Sequence, residues 1–325
     1  MFPVKRILGL VVASVLSVGT VSADEAYPTR PITLMVPYAA GGGSDLLARI
    51  VAAGMSERLG QQIVVDNRPG ASTGIAASHV ARAKPDGYTL LLGNTATFIV
   101  NELLKVKTNY TPDQFSLLGM AANFPMVYVV SSSSPIKTMA ELVSSIKSKP
   151  ATENVTYASP GIGSPHHLGM EALKYRDSLN IMHVPYKGVS PAFPDLIAER
   201  VSTMFVDYAA ASAFIKEGRL RPLAVGSQQP TSFLPGVPTM QSLGYTDFQI
   251  TGWQGLAVPS GTPQPVLNKL VGALRETLAD PKIQGQLRQT GLEPNFLDPA
   301  AFAAHIDRER KELGTLIKAN KITIE

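Results

Sequence analysis

The chain has 325 residues, no cysteine and a formal net charge of +4. This length is enough for two domains, and a sequence without cysteine excludes a disulfide-stapled fold, thiolate chemistry and cysteine-bound metals. The lysines and arginines form no cluster that would track a phosphate backbone, so nucleic acid is excluded as a partner.

The first 23 residues have the layout of a secretory signal peptide. Lys5 and Arg6 give a cationic start, a run of apolar and small residues extends from Ile7 to Val21, and Ala23 follows. The run is shorter than the ~20 residues that a bilayer span needs, which disfavours the alternative of an uncleaved anchor. We predict cleavage near Ala23 and a periplasmic location for the rest of the chain.

After the signal peptide, short β-branched and apolar runs alternate with segments of helical periodicity. In chain order, the predicted strands are residues 32–36, 63–65, 88–92, 126–130, 155–158, 201–206, 222–225 and 255–259. The predicted helices include residues 46–59, 74–83 and 138–147, and three more that begin at Thr262-Pro263, Asp280-Pro281 and Asp298-Pro299. This alternation predicts right-handed βαβ units and α/β sheets that are mainly parallel.

The alternation restarts after residue 125, which predicts two lobes. Because no long flexible linker separates the two blocks, we expect short hinge crossings near Asn123–Pro125 and Tyr245–Gly252. The predicted division is residues 24–124 and 247–325 for the first lobe and 125–246 for the second. The C-terminal helices would then return to the first lobe.

Each block contains a glycine-rich turn between a strand and a helix. The first, residues 37–45, reads PYAAGGGSD, and the second, residues 159–167, reads SPGIGSPHH. Ser44 and Ser164 stand at the expected N-caps, where a helix presents unpaired N–H groups and the positive end of its dipole. Either loop alone is better explained as an ordinary capped connection. Their occurrence in both lobes favours an anion clamp across a shared cleft.

Two aspartates bear on this clamp. The carboxylate of Asp45 either occupies the first-turn donors or turns away from them. Asp207 follows the strand at residues 201–206. It either borders the cleft, where it would accept from a ligand hydroxyl or amine, or caps the helix that begins near Ala209.

No catalytic, cofactor or metal motif is present. Residues 41–43 lack the later glycine of a dinucleotide fingerprint and the lysine of a P-loop, and neither serine lies in a hydrolase elbow. His166 and His167 diverge by ~100° on a helix, so they do not share one metal. We expect a protein that is not an enzyme and has no cofactor. The other histidines, interpreted as packed or surface residues, are His79, His183 and His305.

Ordered motifs extend along the chain. They read YPxRPI at 27–32, VPYAAGGGSD at 36–45, GQxIVVxNRPGA at 60–71, KPDGYTL at 84–90, GxGSxxHL at 161–168, PYKG at 185–188, VPT at 237–239 and GxxxPxGTP at 255–263. Together these motifs resemble the Bug family, the periplasmic substrate-binding proteins of tripartite tricarboxylate transporters. The family pattern is variable where this chain has Pro165-His166.

The resemblance implies a type II Venus-flytrap periplasmic-binding-protein fold, with each lobe a mixed sheet flanked by helices. It implies a monomer that binds a small carboxylate through backbone amides and ordered water, with the membrane subunits of a transporter as its partner. The ligand contacts carried over to this chain are Tyr38, Ala40, Gly41, Gly43, Ser44, Thr95, Ser159, Gly163, Ser164, His167 and Asp207.

These observations favour a receptor that captures a dicarboxylate or an aromatic acid between two lobes and delivers it to a tripartite transporter. A ligand-sensing adaptor for a membrane signalling kinase is an alternative that would use the same cleft. A secreted α/β hydrolase is a further alternative, but no nucleophile or acid–base pair stands at a recognisable spacing.

Overall fold

The computed structural model describes residues 27–150, 155–246, 248 and 250–319, which form two β-sheets and the helices that pack on them. The predicted signal peptide lies outside these residues. The strands are β1 (Ile32–Val36), β2 (Ile63–Asn67), β3 (Thr89–Gly93), β4 (Phe115–Phe124), β5 (Met126–Ser131), β6 (Thr156–Ser159), β7 (Met182–Pro185), β8 (Thr203–Asp207), β9 (Leu220–Val225), β10 (Gly252–Pro259) and β11 (Glu293–Leu297).

Helices connect most of these strands. The α-helices are α1 (Gly43–Leu59), α2 (Gly74–Ala81), α3 (Asn101–Leu103), α4 (Met139–Ser148), α5 (Pro165–Arg176), α6 (Phe193–Ile197), α7 (Tyr208–Lys216), α8 (Gln264–Ala279), α9 (Pro281–Gln289) and α10 (Pro299–Ala319). A π-helical turn at Ala96–Val100 leads into α3, and short 3₁₀ turns occur at Pro112–Gln114, Ser190–Ala192 and Gln241–Leu243. Within the described part of the chain, no helix has the length and apolarity required to cross a membrane.

The chain visits the two sheets in the order first, second, first. The first sheet has the strand order β11-β4-β10-β3-β1-β2, and the second has the order β7-β6-β8-β5-β9. We call the parts built on these sheets the first lobe and the second lobe. β10 and β11 therefore belong to the first lobe, and α10 packs on β4 of the same sheet. The division of the residues between the lobes stays a prediction.

Both sheets are mixed. The βαβ segments pair in parallel, β1 with β2 and β3, and β6 with β7 and β8. The remaining pairings are antiparallel and at least as numerous. The expected excess of parallel pairs was therefore wrong in this detail. The physical reason is that β4, β5 and β10 lead the chain between the lobes and insert beside the βαβ strands in the opposite direction.

The first crossing between the sheets is very short. β4 ends at Phe124 and β5 begins at Met126, so Pro125 alone separates the two strands. Every residue of β5 and β10, the strands that follow the two crossings, is buried, which places these strands in the interior of the molecule. Loops at the strand ends of one lobe therefore meet loops of the other lobe at the boundary between them.

Two of the three predicted proline-marked helix starts have the expected cap. Asp280 Oδ1 accepts from Lys282 N at the start of α9, and Asp298 Oδ1 accepts from Ala301 N at the start of α10. The third differs, because α8 begins at Gln264 and the Thr262 hydroxyl donates to the Pro259 carbonyl instead.

Candidate ligand-binding cleft

The two glycine-rich loops line one cavity at the boundary between the lobes. This cavity has a volume of about 20 Å³, which is room for about one water molecule. We call it the cleft cavity. Its lining residues are Tyr38, Ala39, Gly42, Gly43, Ser44, Asn94, Phe124 and Gln254 of the first lobe, and Pro160, Pro165, His166, Val189 and Asp207 of the second lobe.

The N-terminus of α1 meets the cleft cavity without a side-chain cap. Gly42 is the N-cap residue of α1, and among the described residues no side chain accepts from the first turn. Ser44 is therefore not the cap that the sequence suggested. It lies inside the first turn, where its hydroxyl accepts from the Gln254 side-chain amide. The first-turn N–H groups of α1 thus remain available to an anion that enters the cavity.

Asp45 does not block these donors. Its Oδ2 accepts from Gly41 N and from Arg49 Nε, both at 3.0 Å. Burial acts to raise the pKa of Asp45, but the hydrogen bonds from Arg49 and Gly41 outweigh it and hold the pKa below its ordinary value. The Asp45 carboxylate thus accepts from Gly41, which precedes α1, and from Arg49 on the surface of α1. It does not accept from the first-turn N–H groups.

Tyr38 and Asn94 form a neutral polar pair on the first-lobe wall. Asn94 Nδ2 donates to the Tyr38 hydroxyl at 2.7 Å, while Asn94 Oδ1 accepts from Ala96 N at 3.1 Å. Burial is the main cause that raises the pKa of Tyr38 well above its ordinary value. The phenol therefore stays protonated and retains its own hydrogen for donation toward the cavity.

The second glycine-rich loop is held by its own hydrogen bonds. Ser164 is the N-cap of α5, as predicted, because its Oγ accepts from His167 N at 3.2 Å and donates to Gly161 O at 2.7 Å. Ser159 Oγ accepts from Gly161 N at 3.1 Å. Pro165 occupies the first helical position and has no N–H. The two helix starts are therefore unequal, since the α5 terminus is capped and the α1 terminus is open.

His166 and Asp207 form a buried pair on the second-lobe wall. His166 Nε2 lies 3.2 Å from Asp207 Oδ2, and the two residues are only 6% and 5% exposed. Asp207 is the last residue of β8, and its Oδ1 accepts from Ala210 N at 2.8 Å. Asp207 thus has both of the roles considered for it, because it borders the cleft and also caps α7.

His167 faces the interior of the second lobe instead of the cleft cavity. Its Nδ1 accepts from Gly163 N at 3.3 Å, and its ring lies 4.7 Å from that of His183. Burial, followed by the nearby Lys174, lowers the pKa of His167 to about 4. His167 is therefore a neutral packed residue near neutral pH.

Thr95 lies in a different cavity. This second cavity has a volume of about 380 Å³ and lies between α10 and α5. Thr95 Oγ1 donates there to Glu309 Oε1 at 3.2 Å, and Trp253 Nε1 donates to Glu309 Oε2. Burial is the main cause that raises the pKa of Glu309 to about 7.

The structure thus brings only some of the predicted contact residues to the cleft cavity. Tyr38, Gly43, Ser44 and Asp207 line it. The predicted residues that do not line it are Ala40, Gly41, Thr95, Ser159, Gly163, Ser164 and His167. Whether any of these contacts a ligand stays a prediction.

Three polar lining residues were not predicted from the sequence as ligand contacts: Asn94, His166 and Gln254. Asn94 follows the carboxyl end of β3, a position that commonly faces a ligand in α/β sheets, so a signal for it existed. His166 had the weaker signal of lying in the glycine-rich segment. Gln254 lies within β10, and nothing in its sequence context distinguishes it.

Several buried polar atoms of the described residues have no hydrogen-bond partner. Buried polar atoms are nearly always hydrogen-bonded, so an unpaired one in a cavity wall indicates a place where a ligand or ordered water binds. Among the described residues, these atoms are Asp45 Oδ1, Asn101 Oδ1, His166 Nδ1, Ser190 Oγ, Gln254 Oε1 and His305 Nε2. His166 and Gln254 line the cleft cavity itself. The cavity therefore offers polar groups that protein neighbours do not satisfy.

The cavity lacks fixed positive charge. None of the described residues that line it is a lysine or an arginine, and Asp207 is its one acidic lining residue. No cluster of three or more potential metal ligands occurs among the described residues either. An anion in this cavity would be held mainly by N–H and hydroxyl donors and by the open end of α1.

The chain is similar to known proteins over nearly its whole length. The family model of the tripartite tricarboxylate transporter family receptor matches residues 47–322. A UPF0065 protein of Agrobacterium vitis is 35% identical over 316 residues, which cover 96% of this chain and 90% of the relative.

Solved structures extend this similarity to the fold. The periplasmic binding protein BugD has a TM-score of 0.84 at 33% identity, and the match covers 92% of this chain and all of BugD. Rpa4515 of R. palustris with adipate has a TM-score of 0.87 at 32% identity, covering 91% of this chain and 99% of Rpa4515. MatC of Rhodopseudomonas palustris with bound malate has a TM-score of 0.85 at 29% identity, and the match covers 90% of this chain and all of the MatC chain. The predicted family resemblance and the two-lobed periplasmic-binding-protein fold are confirmed.

Proposed function

The chain belongs to the Bug family of tripartite tricarboxylate transporter receptors, and on this premise we propose that it captures a small dicarboxylate in the cleft cavity and delivers it to a membrane transporter. The family consists of solute-binding receptors and not of enzymes. Periplasmic location is a property of the family, and export with cleavage near Ala23 is part of the proposal.

The single observation that carries the proposal is the open N-terminus of α1, which lines the same cavity as the His166–Asp207 pair of the second lobe. One carboxylate of the ligand would accept from the first-turn N–H groups near Gly43, with the Tyr38 hydroxyl as a further donor. Each such interaction with the helix end is worth about 0.3–1 kcal/mol when exposed and more when partly buried. The site would select an acid because a carboxylate accepts from all of these donors, whereas a cation has no acceptor for them and a sugar lacks the negative charge.

Two solved relatives support a dicarboxylate as the ligand class. Rpa4515 carries adipate and MatC carries malate, and both are similar to this chain over at least 90% of its length. The chemistry that the two ligands share is a pair of carboxylates on a short carbon chain. An aromatic monocarboxylate satisfies one wall of the cleft only, so a dicarboxylate fits the two facing lobes better.

The size of the cleft cavity requires movement between the lobes. A space of about 20 Å³ holds about one water molecule and no dicarboxylate. The lobes would separate to admit the ligand and close again around it, as in hinge-closing binding proteins. The ligand stabilises the closed form through its differential affinity for that form.

A thermal-shift screen followed by calorimetry tests the proposal. The chain without residues 1–23 is mixed with dicarboxylates, tricarboxylates, acidic amino acids and benzoate-type acids, with sugars and amines as controls. Saturation at ~100 times the dissociation constant adds ~2.7 kcal/mol of stability, which is readily visible as a rise in Tm. We expect dicarboxylates alone to give this rise and to be recovered intact. A rise with a sugar or an amine alone would contradict the proposed ligand class.

A further inference from the structure

The hydrogen bond between His166 and Asp207 decides which ring nitrogen of His166 carries a proton. An ionised carboxylate only accepts hydrogen bonds, and Asp207 Oδ2 lies 3.2 Å from His166 Nε2. Nε2 is therefore the protonated nitrogen that donates to Asp207. The charge of the imidazole then depends on Nδ1 alone, which is a bare acceptor in the neutral ring and an N–H donor in the imidazolium.

Nδ1 of His166 has no partner among the described residues, although the residue is only 6% exposed. The ring belongs to the wall of the cleft cavity. A buried ring nitrogen without a partner is unfavourable, so a group that enters the cavity satisfies it at a gain. A hydroxyl or an ammonium would donate to neutral Nδ1, whereas a carboxylate would accept from protonated Nδ1.

The charges around His166 favour the pairing of a ligand carboxylate with protonated Nδ1. Asp207 carries a negative charge on the same wall, and Asp45 behind the first-lobe loop is already paired with Arg49. Tyr38 across the cavity stays neutral because burial raises its pKa, and the adjacent His167 is neutral with a pKa of about 4. Since no lysine or arginine lines the described cavity wall, a ligand carboxylate beside Asp207 lacks a counter-charge unless His166 supplies it.

We propose that His166 takes up one proton at Nδ1 when a carboxylate binds, so that its imidazolium bridges Asp207 and the ligand. This inference rests on the proposed receptor function and adds a proton to the capture step. The proton comes from solvent and adds to the Nδ1 lone pair, while the Nε2–H bond and the Asp207 carboxylate stay unchanged. When the ligand leaves, the proton returns to solvent. One negative charge of the ligand is thereby matched by one new positive charge in the cleft.

Calorimetric titration with adipate and with succinate tests this proton uptake. The titration is run at about pH 7.5 in phosphate and in Tris, whose ionisation enthalpies differ, because the difference in apparent binding enthalpy gives the number of protons bound. We expect about 0.5–1 proton taken up per ligand by the unmodified chain. Above about pH 7.5, the affinity for the dicarboxylate should weaken by up to about tenfold for each pH unit, because the binding of one ligand is coupled to the uptake of one proton.

The variant His166→Gln isolates the residue, because the amide can still donate to Asp207 but takes up no proton. Proton uptake should vanish, and affinity should become independent of pH between about pH 7 and pH 9. His79→Gln is the matched control: His79 is an exposed histidine on α2 that does not line the cleft cavity, and its substitution should leave the proton count unchanged.

The outcomes separate this inference from the receptor function. Tight binding of dicarboxylates by the unmodified chain without proton uptake overturns the role of His166 and leaves the receptor function in place. Full proton uptake by a folded His166→Gln variant also overturns it, because another group must then bind the proton. Failure of every carboxylate to bind overturns both proposals together. If the variant does not fold, binding without proton uptake by the unmodified chain still overturns the role of His166.

Discussion

Gly43 and Asp207 lie directly against each other across the boundary between the lobes. A β-carbon at position 43 would lie 2.2 Å from Asp207 Oδ1 and 3.3 Å from the Ala209 β-carbon. Asp207 cannot easily move away, because Ala210 N and His166 hold its carboxylate. The open end of α1 therefore approaches the second-lobe wall only because residue 43 has no side chain.

Gly43→Ala should weaken dicarboxylate binding by at least about tenfold without lowering Tm, because alanine is favoured over glycine inside a helix by about 1 kcal/mol. The added methyl group would prevent full closure of the lobes and not disturb either lobe alone. Calorimetry and a melting curve measure the two effects. Gly272→Ala on α8, where a β-carbon meets nothing within 4 Å, is the control. Unchanged affinity in Gly43→Ala would show that closure at this contact is not needed.

Tyr38→Phe should weaken dicarboxylate binding by roughly 5–15-fold, the equivalent of one hydrogen bond of about 1–1.5 kcal/mol. The change removes the hydroxyl of a residue that lines the cavity and leaves Asn94 Nδ2 without its acceptor, so some stability is lost as well. Tyr128→Phe is the control, since this tyrosine is also buried and donates to Gly169 O inside the second lobe. An equal loss of affinity in both variants would contradict a direct role for Tyr38.

Ser164→Ala should lower the free energy of unfolding by about 0.5–2 kcal/mol, because the cap bond to His167 N is lost. We expect a smaller effect on ligand affinity, since the hydroxyl already has partners within the loop. Chemical denaturation and calorimetry separate the two quantities. Thr138→Ala, which removes the N-cap of α4 away from the cleft, gives the reference value. A loss of affinity without loss of stability would mean that the ligand contacts Ser164 directly.

Glu309 should make the protein less stable as the pH rises from about 4.5 to about 7. Burial raises the pKa of Glu309 to about 7 from its ordinary 4.5, so the folded state binds the proton more tightly than the unfolded state does. This contribution is fully present below about pH 4.5 and is lost as the pH rises through about 7. Its size is of the order of 1–3 kcal/mol.

Urea unfolding of the unmodified chain and of Glu309→Gln at about pH 5 and pH 8 measures this effect. The variant should lack the loss of stability over this interval, because the amide does not ionise. Trp253 is the only tryptophan in the sequence and donates to Glu309, so its fluorescence reports the titration directly. Identical pH profiles for the two proteins would show that Glu309 titrates near its ordinary pKa.

Much of the fold was predictable because its signals are local. Proline after a capping residue marked the starts of α9 and α10, and Ser164 before Pro165 marked the start of α5. The relative direction of neighbouring strands was not predictable from local signals. The antiparallel pairing of β10 with β3 and β4 joins segments far apart in the chain, and no local pattern encodes it.

The candidate site was predictable as two loops and not as a set of contacts. Ser44 had the pattern of an N-cap, yet the N-cap of α1 is Gly42, two residues earlier, and Gln254 of a distant strand donates to the Ser44 hydroxyl. Asn94 faces the cavity only because β3 ends beside β1 in the sheet. Each of these contacts joins residues of elements that are far apart in the sequence, so no local stretch of sequence contains both partners.

The sequence by itself determined the family, the alternation of strands and helices, and the presence of a glycine-rich turn before a helix in each lobe. Only the tertiary structure decided that His166 and not His167 faces the cleft cavity. α5 packs closely on β8 at Gly169, where a β-carbon would lie 2.1 Å from the Phe205 ring. Adjacent helical residues point ~100° apart, so the packing of α5 on the sheet that turns His166 to the cavity turns His167 to the lobe interior.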